Sequence, residues 1–418
     1  MRLTAASLVA LALACFWLVG TFEGCDDQAR EQTRVTEAAE PRVILISLDG
    51  FRADYLDRAD VQAPTLRRLA REGVRAQSMT PVFPSVTLPN HWSLATGLHP
   101  QDHGIVANEF RAPDGRLFNG ERKTGMTEPE WWGGEPIWAT AERQGLRVGT
   151  VFWPGSQAIR PGRWLAYDAA MPYEARVDTA LAWLDLPRSE RPHFVTLYFE
   201  AVDSAGHRHG PDTPEVAAAI ERVDDALARL VAGLEARGLL ATTDLVVVSD
   251  HGMTSLSRDR LVYLDDAVDL DTEADEVLWS TPTHIWPAKG TDSDSLVARL
   301  DVLDYVRAYR REDTPEHLHY RANDRIGPIV VLPDEGWSVT TRARVAADPT
   351  FPIPGSHGFD PREATMQALF IARGPRFRVA TETGTIQTVD VHGIVAGALD
   401  IQPAPTSGDP RSARRVLR

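Results

Sequence analysis

Three aspartates stand where short apolar runs end, and two of them have an imidazole close by in sequence. Asp49 follows Val43 to Leu48, Asp203 lies just past Phe194 to Phe199, and Asp250 closes Leu245 to Ser249. The stretch Asp203-Ser-Ala-Gly-His207 sets a carboxylate and an imidazole four residues apart, and Asp250-His251-Gly252 sets another such pair side by side. A third imidazole, His357, sits in Gly355-Ser-His-Gly358, where flanking glycines let a ligand approach a metal without crowding. A lone strand-end aspartate is ordinarily a turn former or a helix cap. Three carboxylates drawn together repel and raise one another's pKa, and a divalent cation removes that penalty. Mixed Asp and His donors favour zinc, with manganese or iron as alternatives. The other nine of the 12 histidines, His317 and His319 among them, read as structural or solvent-facing.

Chemistry at such a centre needs a nucleophile. In PVFPSVTLPNHWSLATGLHP, Pro81 to Pro100, Thr87 stands just before a helix-like stretch from Pro89 to Thr96. A hydroxyl there faces the positive end of a helix, which favours its alkoxide and a bound phosphoryl group. From this segment alone, Thr87 or Ser85 reads more readily as an N-cap. Coordination to a metal lowers a hydroxyl's pKa far enough for attack near neutral pH. No arginine falls between Ser78 and Gly104. A phosphate monoester dianion calls for such a cation beside the nucleophile, so its absence favours a diester. The second organic group of a diester needs an apolar or stacking wall.

The elements that must position these groups are legible in the same chain. The run Val43 to Leu48 is continuous rather than alternating, as expected for a strand covered on both faces. Similar runs are Val148 to Trp153, Phe194 to Phe199, Leu245 to Ser249 and Ala368 to Ala372. Between them, Pro214 to Arg237 carries Val216, Ile220, Val223, Leu227, Leu230, Val231 and Leu234 at helical spacing, with Thr213 placed to cap it and Gly238 to end it. Another helix is expected from Pro136 to Gln144, preceded by Trp131 and Trp132 as core and rim packing. Phe152-Trp153-Pro154-Gly155 ends a core strand where it could border a pocket. This alternation predicts an α/β fold, a mostly parallel central sheet with helices on both faces. The three carboxylates then fall at the C-terminal edge, where such sheets build their sites. From Leu256 to Pro354 the texture changes, with acidic loops, a helix-like stretch near Ser293 to Arg310 and a half-alternating run from Ile326 to Leu332. A smaller lobe at 256–354 is therefore expected, inserted into a main domain made of 41–255 and 355–418.

Composition narrows the function. The 418 residues include 44 Lys+Arg and 59 Asp+Glu, a net charge of −15, with the basic residues scattered. Such a body offers no phosphate-neutralising groove for a nucleic-acid duplex. A small anionic substrate remains open, because a bound metal reverses the local field. Residues 1–22, with Arg2 ahead of an apolar run, read as a secretory signal or N-terminal anchor, and 23–40 as a polar tether. Cleavage, lipid attachment at Cys15 or Cys25, and retention as a span are the three treatments of this segment. Any membrane attachment would run through the N-terminus alone. The expected location is outside the cytoplasm, periplasmic or tethered on the outer side. Cys15 and Cys25 are the only cysteines, so no disulfide staples the body.

Six motifs complete the reading. LDG at Leu48 to Gly50, TLPNH at Thr87 to His91, GIVAN at Gly104 to Asn108, VDSAGHRHGP at Val202 to Pro211, SDHGM at Ser249 to Met253 and GSHGF at Gly355 to Phe359 occur in that order. Together they resemble the nucleotide pyrophosphatase/phosphodiesterase family of the alkaline phosphatase superfamily, from about Arg42 to Leu399. The resemblance implies an alkaline-phosphatase-like fold and two zinc ions. One would be held by Asp49, Thr87, Asp250 and His251, and would activate the Thr87 oxygen. The other would be held by Asp203, His207 and His357, and would activate the hydrolytic water. Asn108 corresponds to the amide that donates to a non-bridging oxygen, and the implied reaction passes through a covalent phospho-threonine. Family members grip a base between an aromatic residue just after the threonine and a tyrosine five residues before the Asp203-type ligand. Here those positions hold Leu88, an aliphatic departure, and Tyr198. The expected activity is hydrolysis of phosphodiester or phosphoanhydride bonds, of nucleotides first. Other branches of the family cleave choline-bearing glycerophosphodiesters or lysophospholipids. A phosphomonoesterase on the same scaffold and a metal-stabilised binding protein without catalysis are the rival readings.

Overall fold

Along Val43–Leu48, alternate side chains enter opposite hydrophobic clusters, Val43 and Leu45 on one side and Ile44, Ile46 and Leu48 on the other. Asp244–Val248 divides in the same way, with Val246 and Val248 facing one cluster and Leu245 and Val247 the other. A strand with no solvent face has no room for polar alternation, hence the unbroken apolar runs. This geometry comes from a computed structural model that describes residues 42–418. The expected signal or anchor, the tether and both cysteines lie outside the described residues.

The main sheet has eight strands. In spatial order they are Thr381–Thr383, Val74–Ala76, Phe370–Arg373, Asp244–Val248, Val43–Leu48, Phe194–Phe199, Val148–Val151 and Arg163–Leu165. Val43–Leu48 pairs in parallel with both of its neighbours. Phe370–Arg373 runs antiparallel to the strands on either side. A fully buried strand carries no directional signal in its sequence, so this reversal could not be read from the apolar run.

Helices Pro64–Glu72, Tyr173–Leu184 and Pro214–Ala236 cover one face, and α1 (Thr87–Thr96), Ile137–Arg143 and Asp390–Leu399 cover the other. All seven expected apolar residues of Pro214–Ala236 are buried. At about 1.5–3 kcal/mol for each large aliphatic side chain, that face holds the helix to the sheet. Gly238 ends the helix at φ +65° with its N–H on the Glu235 carbonyl. Thr213 takes the cap position, but its hydroxyl donates to the Gly210 carbonyl and caps nothing. Trp92 packs edge-on to both Trp132 and Trp138, all three buried in the core.

A second, four-stranded sheet is ordered Ala274–Leu278, Thr283–Pro287, Ile329–Pro333, Val306–Arg310, and all its pairings are antiparallel. Ile329 and Val331 turn toward helix Ser293–Leu300 and a small core of their own, while Val330 joins the core of the main sheet. The helix-like stretch expected to reach Arg310 therefore stops at Leu300. Val306 and Ala308 are buried in alternation with exposed Arg307, the period of a strand. Among the described residues no helix is long and apolar enough to cross a membrane.

Candidate active site

The C-terminal edge of the main sheet gathers the reactive residues. Asp49 leaves the end of Val43–Leu48 and is followed by Gly50 at φ +67°, where a Cβ would stand 2.8 Å from the Asp203 Cα. Only glycine fits that close turn. Asp203 lies in the first turn of α2 (Ala201–His209), and His207 follows one turn later on the same face. Asp250 and His251 follow Asp244–Val248, and a Cβ on the next residue, Gly252, would stand 1.9 Å from the Thr365 carbonyl oxygen. His357 arrives from the far end of the chain on Gly355–Ser356, which pairs with Thr254–Ser255. Thr87 is the first residue of α1, preceded by extended Val86.

These segments bring seven groups together. Thr87 Oγ1 lies 3.3 Å from His251 Nε2. His251 Nε2 is 3.1 Å from Asp250 Oδ2 and 3.6 Å from Asp49 Oδ1. Asp203 Oδ1 is 3.3 Å from His207 Nε2 and 3.5 Å from His357 Nε2. The rings of His251 and His357 stack at 3.7 Å. Thr87 makes no side-chain cap, and the Ser85 hydroxyl is occupied by the Phe359 carbonyl.

The donor chemistry fits divalent cations. His207, His251 and His357 each place Nδ1 against a main-chain carbonyl, of Gly355, Gly252 and Ser85, at 2.8–2.9 Å. A carbonyl only accepts, so each Nδ1 carries the proton and each Nε2 presents a lone pair to the centre. The Nε2 atoms of His207 and His357 face one another at 3.1 Å, a contact of two lone pairs that an intervening positive charge relieves. Asp49 Oδ1, Asp203 Oδ1 and Asp250 Oδ2 are buried without any hydrogen-bond partner. Such orphaned oxygens are costly unless they serve as ligands. Two ligand-like groups emerge, Asp203 with His251 and His357, and Asp49 with His91 and Asp250, the ligand atoms of each lying within 4.8 Å of one another.

The electrostatics carry the same strain. Burial, together with the charges of Asp250 and Asp203, holds the Asp49 carboxyl well above its usual range. Burial also opposes ionisation of Asp250, but the imidazoles of His251 and His91 outweigh it and hold that carboxyl well below its usual range. Burial first, and then the neighbouring imidazoles of His251 and His207, push His357 down to about 3, so its ring stays neutral and able to ligate.

The remaining expected residues surround this centre. Asn108 accepts the Leu88 N–H at 2.9 Å through Oδ1, which leaves its amide N–H groups without a protein partner among the described residues. Leu88 is buried beneath the loop at Gly120, where a Cβ would meet its Cδ1 at 2.6 Å. Tyr198 is also buried, and its hydroxyl donates to Asp49 Oδ2 at 2.6 Å. Phe152, at φ +55°, and Trp153 line the neighbouring edge. His317 pairs with Asp360, and His319 stacks on His99, away from the centre.

Two residues escaped the sequence reading. His91, inside the quoted TLPNH, is fully buried against Asp250 with Nδ1 3.3 Å from Oδ2. Its place four residues after Thr87 on a helix was the available signal. Tyr167 is 46% exposed, with its ring edge-on to Tyr198 at 6.1 Å and to Phe152 at 5.3 Å. It lies in an aperiodic loop and gave no signal.

Comparison with known proteins identifies the family and the fold. Residues 43–360 match the family model for type I phosphodiesterase / nucleotide pyrophosphatase. A venom phosphodiesterase of Crotalus durissus collilineatus is 35% identical over 390 residues, 90% of this chain and 46% of that protein. Human ectonucleotide pyrophosphatase/phosphodiesterase family member 1 is 34% identical over 391 residues, 90% of this chain and 42% of that protein. The chain thus spans a little under half the length of these curated relatives. The solved structure of murine ectonucleotide pyrophosphatase / phosphodiesterase 5 superposes with a TM-score of 0.84 at 31% identity, covering 90% of this chain and all of that one. An inactive threonine-to-alanine variant of that murine protein, in complex with AMP, matches with the same TM-score. With three quarters of its length matched and its fold shared, the chain belongs to the type I phosphodiesterase / nucleotide pyrophosphatase family.

Proposed function

We propose that this protein is a two-zinc phosphodiesterase that hydrolyses phosphodiester or phosphoanhydride bonds of nucleotides through a covalent phospho-threonine. The observation that carries this reading is the meeting of the Thr87 hydroxyl with three carboxylates whose buried oxygens lack partners and three imidazoles whose lone pairs converge. Asp49, Thr87, Asp250 and His251 hold one ion, and Asp203, His207 and His357 hold the other. Zinc bound there supplies the positive charge that lowers the threonine pKa and offsets charge on the phosphoryl oxygens.

Thr87 Oγ1, at the positive end of α1, loses its proton and attacks phosphorus in line. The bond from phosphorus to the leaving oxygen breaks as the threonine ester forms. Water then attacks the same phosphorus, releases the nucleotide and restores the hydroxyl. Asn108 directs its free amide N–H groups to a non-bridging oxygen, a donor placed in advance of the charge it meets. Tyr167 and Leu88 flank the organic group of the substrate. Beyond Tyr167, an open cavity of about 510 Å³ lined by Tyr173, Ser204, Arg208 and Arg222 offers room for a nucleoside. The AMP held by the murine relative, and the inactivity of its threonine-to-alanine variant, support both the nucleotide and the threonine. We place the inserted lobe at 256–354 and the working protein outside the cytoplasm, consistent with relatives named as venom and ectoenzyme proteins.

The test is turnover of a bis-aryl phosphate against the mono-aryl ester by purified, zinc-loaded protein. Faster diester cleavage is expected, and faster monoester cleavage would overturn the assignment. Adding a nucleoside triphosphate and glycerophosphocholine to the panel separates nucleotide from choline-type substrates.

A further inference from the structure

We propose that His91 is a positioning residue that locks the nucleophile-bearing helix to the strand and loop carrying two of the carboxylates. The proposal rests on Thr87 being the nucleophile. His91 Nδ1 lies 2.9 Å from the Thr87 carbonyl oxygen, and Nε2 lies 2.8 Å from Ser47 Oγ. The carbonyl fixes the proton on Nδ1, so Nε2 accepts from the Ser47 hydroxyl. Ser47 stands two residues before Asp49 on the central strand. The Nδ1 edge also faces Asp250 Oδ2 at 3.3 Å. One ring thus touches the main chain of Thr87, the strand that delivers Asp49, and the carboxylate of Asp250.

Its surroundings leave it one orientation. The ring is edge-on to Trp153 at 5.4 Å and to Tyr198 at 5.2 Å, while the Trp153 indole donates to the His91 carbonyl. Tyr198 in turn holds Asp49 through its hydroxyl. His207, His251 and His357 share the same proton position but aim Nε2 at the centre, whereas His91 aims its Nε2 away, at Ser47. His91 is therefore built to hold the centre's parts in place, and its effect is exerted through Thr87 and Asp250. A purely packing histidine would need none of these three polar contacts, each of which ends on a different part of the centre.

The experiment compares His91→Phe, which keeps ring volume and removes all three polar contacts, with His91→Asn, whose amide N–H reoccupies the Nδ1 position. Read together are kcat, KM, melting temperature, and zinc retained per chain after dialysis against a buffered zinc series. The expected result for His91→Phe is a kcat lowered about 10–100-fold with little change in KM, and zinc retention weakened by a similar factor. His91→Asn is expected to recover about tenfold of the lost kcat at a melting temperature matching that of His91→Phe. Normal kcat and zinc retention in His91→Phe, or no advantage for His91→Asn, would overturn the proposal. If His91→Phe does not fold, Ser47→Ala decides, since it removes one tether and leaves the ring. Lowered kcat at unchanged KM then supports the proposal, and wild-type kcat refutes it. Wild-type protein that turns over no diester would instead count against the proposed function, and the zinc series still reads His91.

Discussion

The two halves of the centre are made of similar side chains on different foundations. Asp49, Asp250 and His251 leave the ends of adjacent central strands, and the side chains of Asp250 and His251 have no exposure at all. Asp203, His207 and His357 come from a helix and a returning loop, and the Asp203 and His207 side chains are 16% and 31% exposed. Behind the inner half stand the Tyr198 hydroxyl, the Ser249 hydroxyl on the His251 carbonyl, and His91. Behind the outer half, each imidazole has a main-chain carbonyl and little else. The contrast divides the labour. On the proposed function, the inner half would keep the nucleophile's geometry fixed, while the outer half meets solvent, where a water would enter and a product would leave.

The sharpest way to test that division is Thr87→Ala. Diester turnover should fall at least about a thousandfold, because the other hydroxyls of the inner half, on Tyr198 and Ser249, are already committed to Asp49 Oδ2 and the His251 carbonyl. Bound zinc and melting temperature should stay near wild type. Retained turnover would show that the inner half does not carry the nucleophile. A smaller effect is expected from His207→Ala, which removes a proposed ligand from the exposed half. Metal content should drop by one ion per chain, with kcat/KM lowered about 10–100-fold and partly restored by excess zinc. On this contrast a limiting chelator strips wild-type protein in two steps, the outer ion first. Loss of both ions in one step would erase the distinction.

The smallest effect lies at the opposite end of the strand that delivers Asp250. Asp244 begins that strand, and burial pushes its carboxyl up to about 6 despite a hydrogen bond from the Arg376 N–H at 3.0 Å. A folded-state pKa above the unfolded value favours the protonated form. Its stabilising contribution is full below about pH 4 and lost as pH rises through 6. Asp244→Asn stays neutral throughout, so it should stabilise the fold by about 1 kcal/mol at pH 7.5 and by nothing at pH 4, with activity unchanged. Thermal melts at the two pH values check this. An equal effect at both would mean that the charge at Asp244 is not what limits stability.

Much of this arrangement was legible in the chain, for reasons that differ by region. The strands Val43–Leu48 and Phe194–Phe199 agree with their apolar runs to the residue, because burial on both faces leaves nothing else for those runs to be. Asp49, His207, Asp250, His251 and His357 stood out beside or near glycines that the close packing of the edge requires, Asp203 through its strand end and its spacing to His207, and Thr87 through its place at a helix start. His91 did not, since one histidine within a helix looks like packing until its three contacts are seen. Tyr167 did not, because an exposed loop residue owes its place to tertiary contacts alone. Val306–Arg310 was hidden in a presumed helix because five residues are too few to display a period.

The carbonyls that hold the four imidazole protons belong to Ser85, Thr87, Gly252 and Gly355, and every one is main chain. A carboxylate in that role could be erased by a single codon change, but a peptide oxygen survives any replacement of its own side chain that leaves the backbone path intact. The ring orientations are thus insulated from mutational drift. Substitutions on the rim can then change what meets the centre while the ring nitrogens stay aimed as they are.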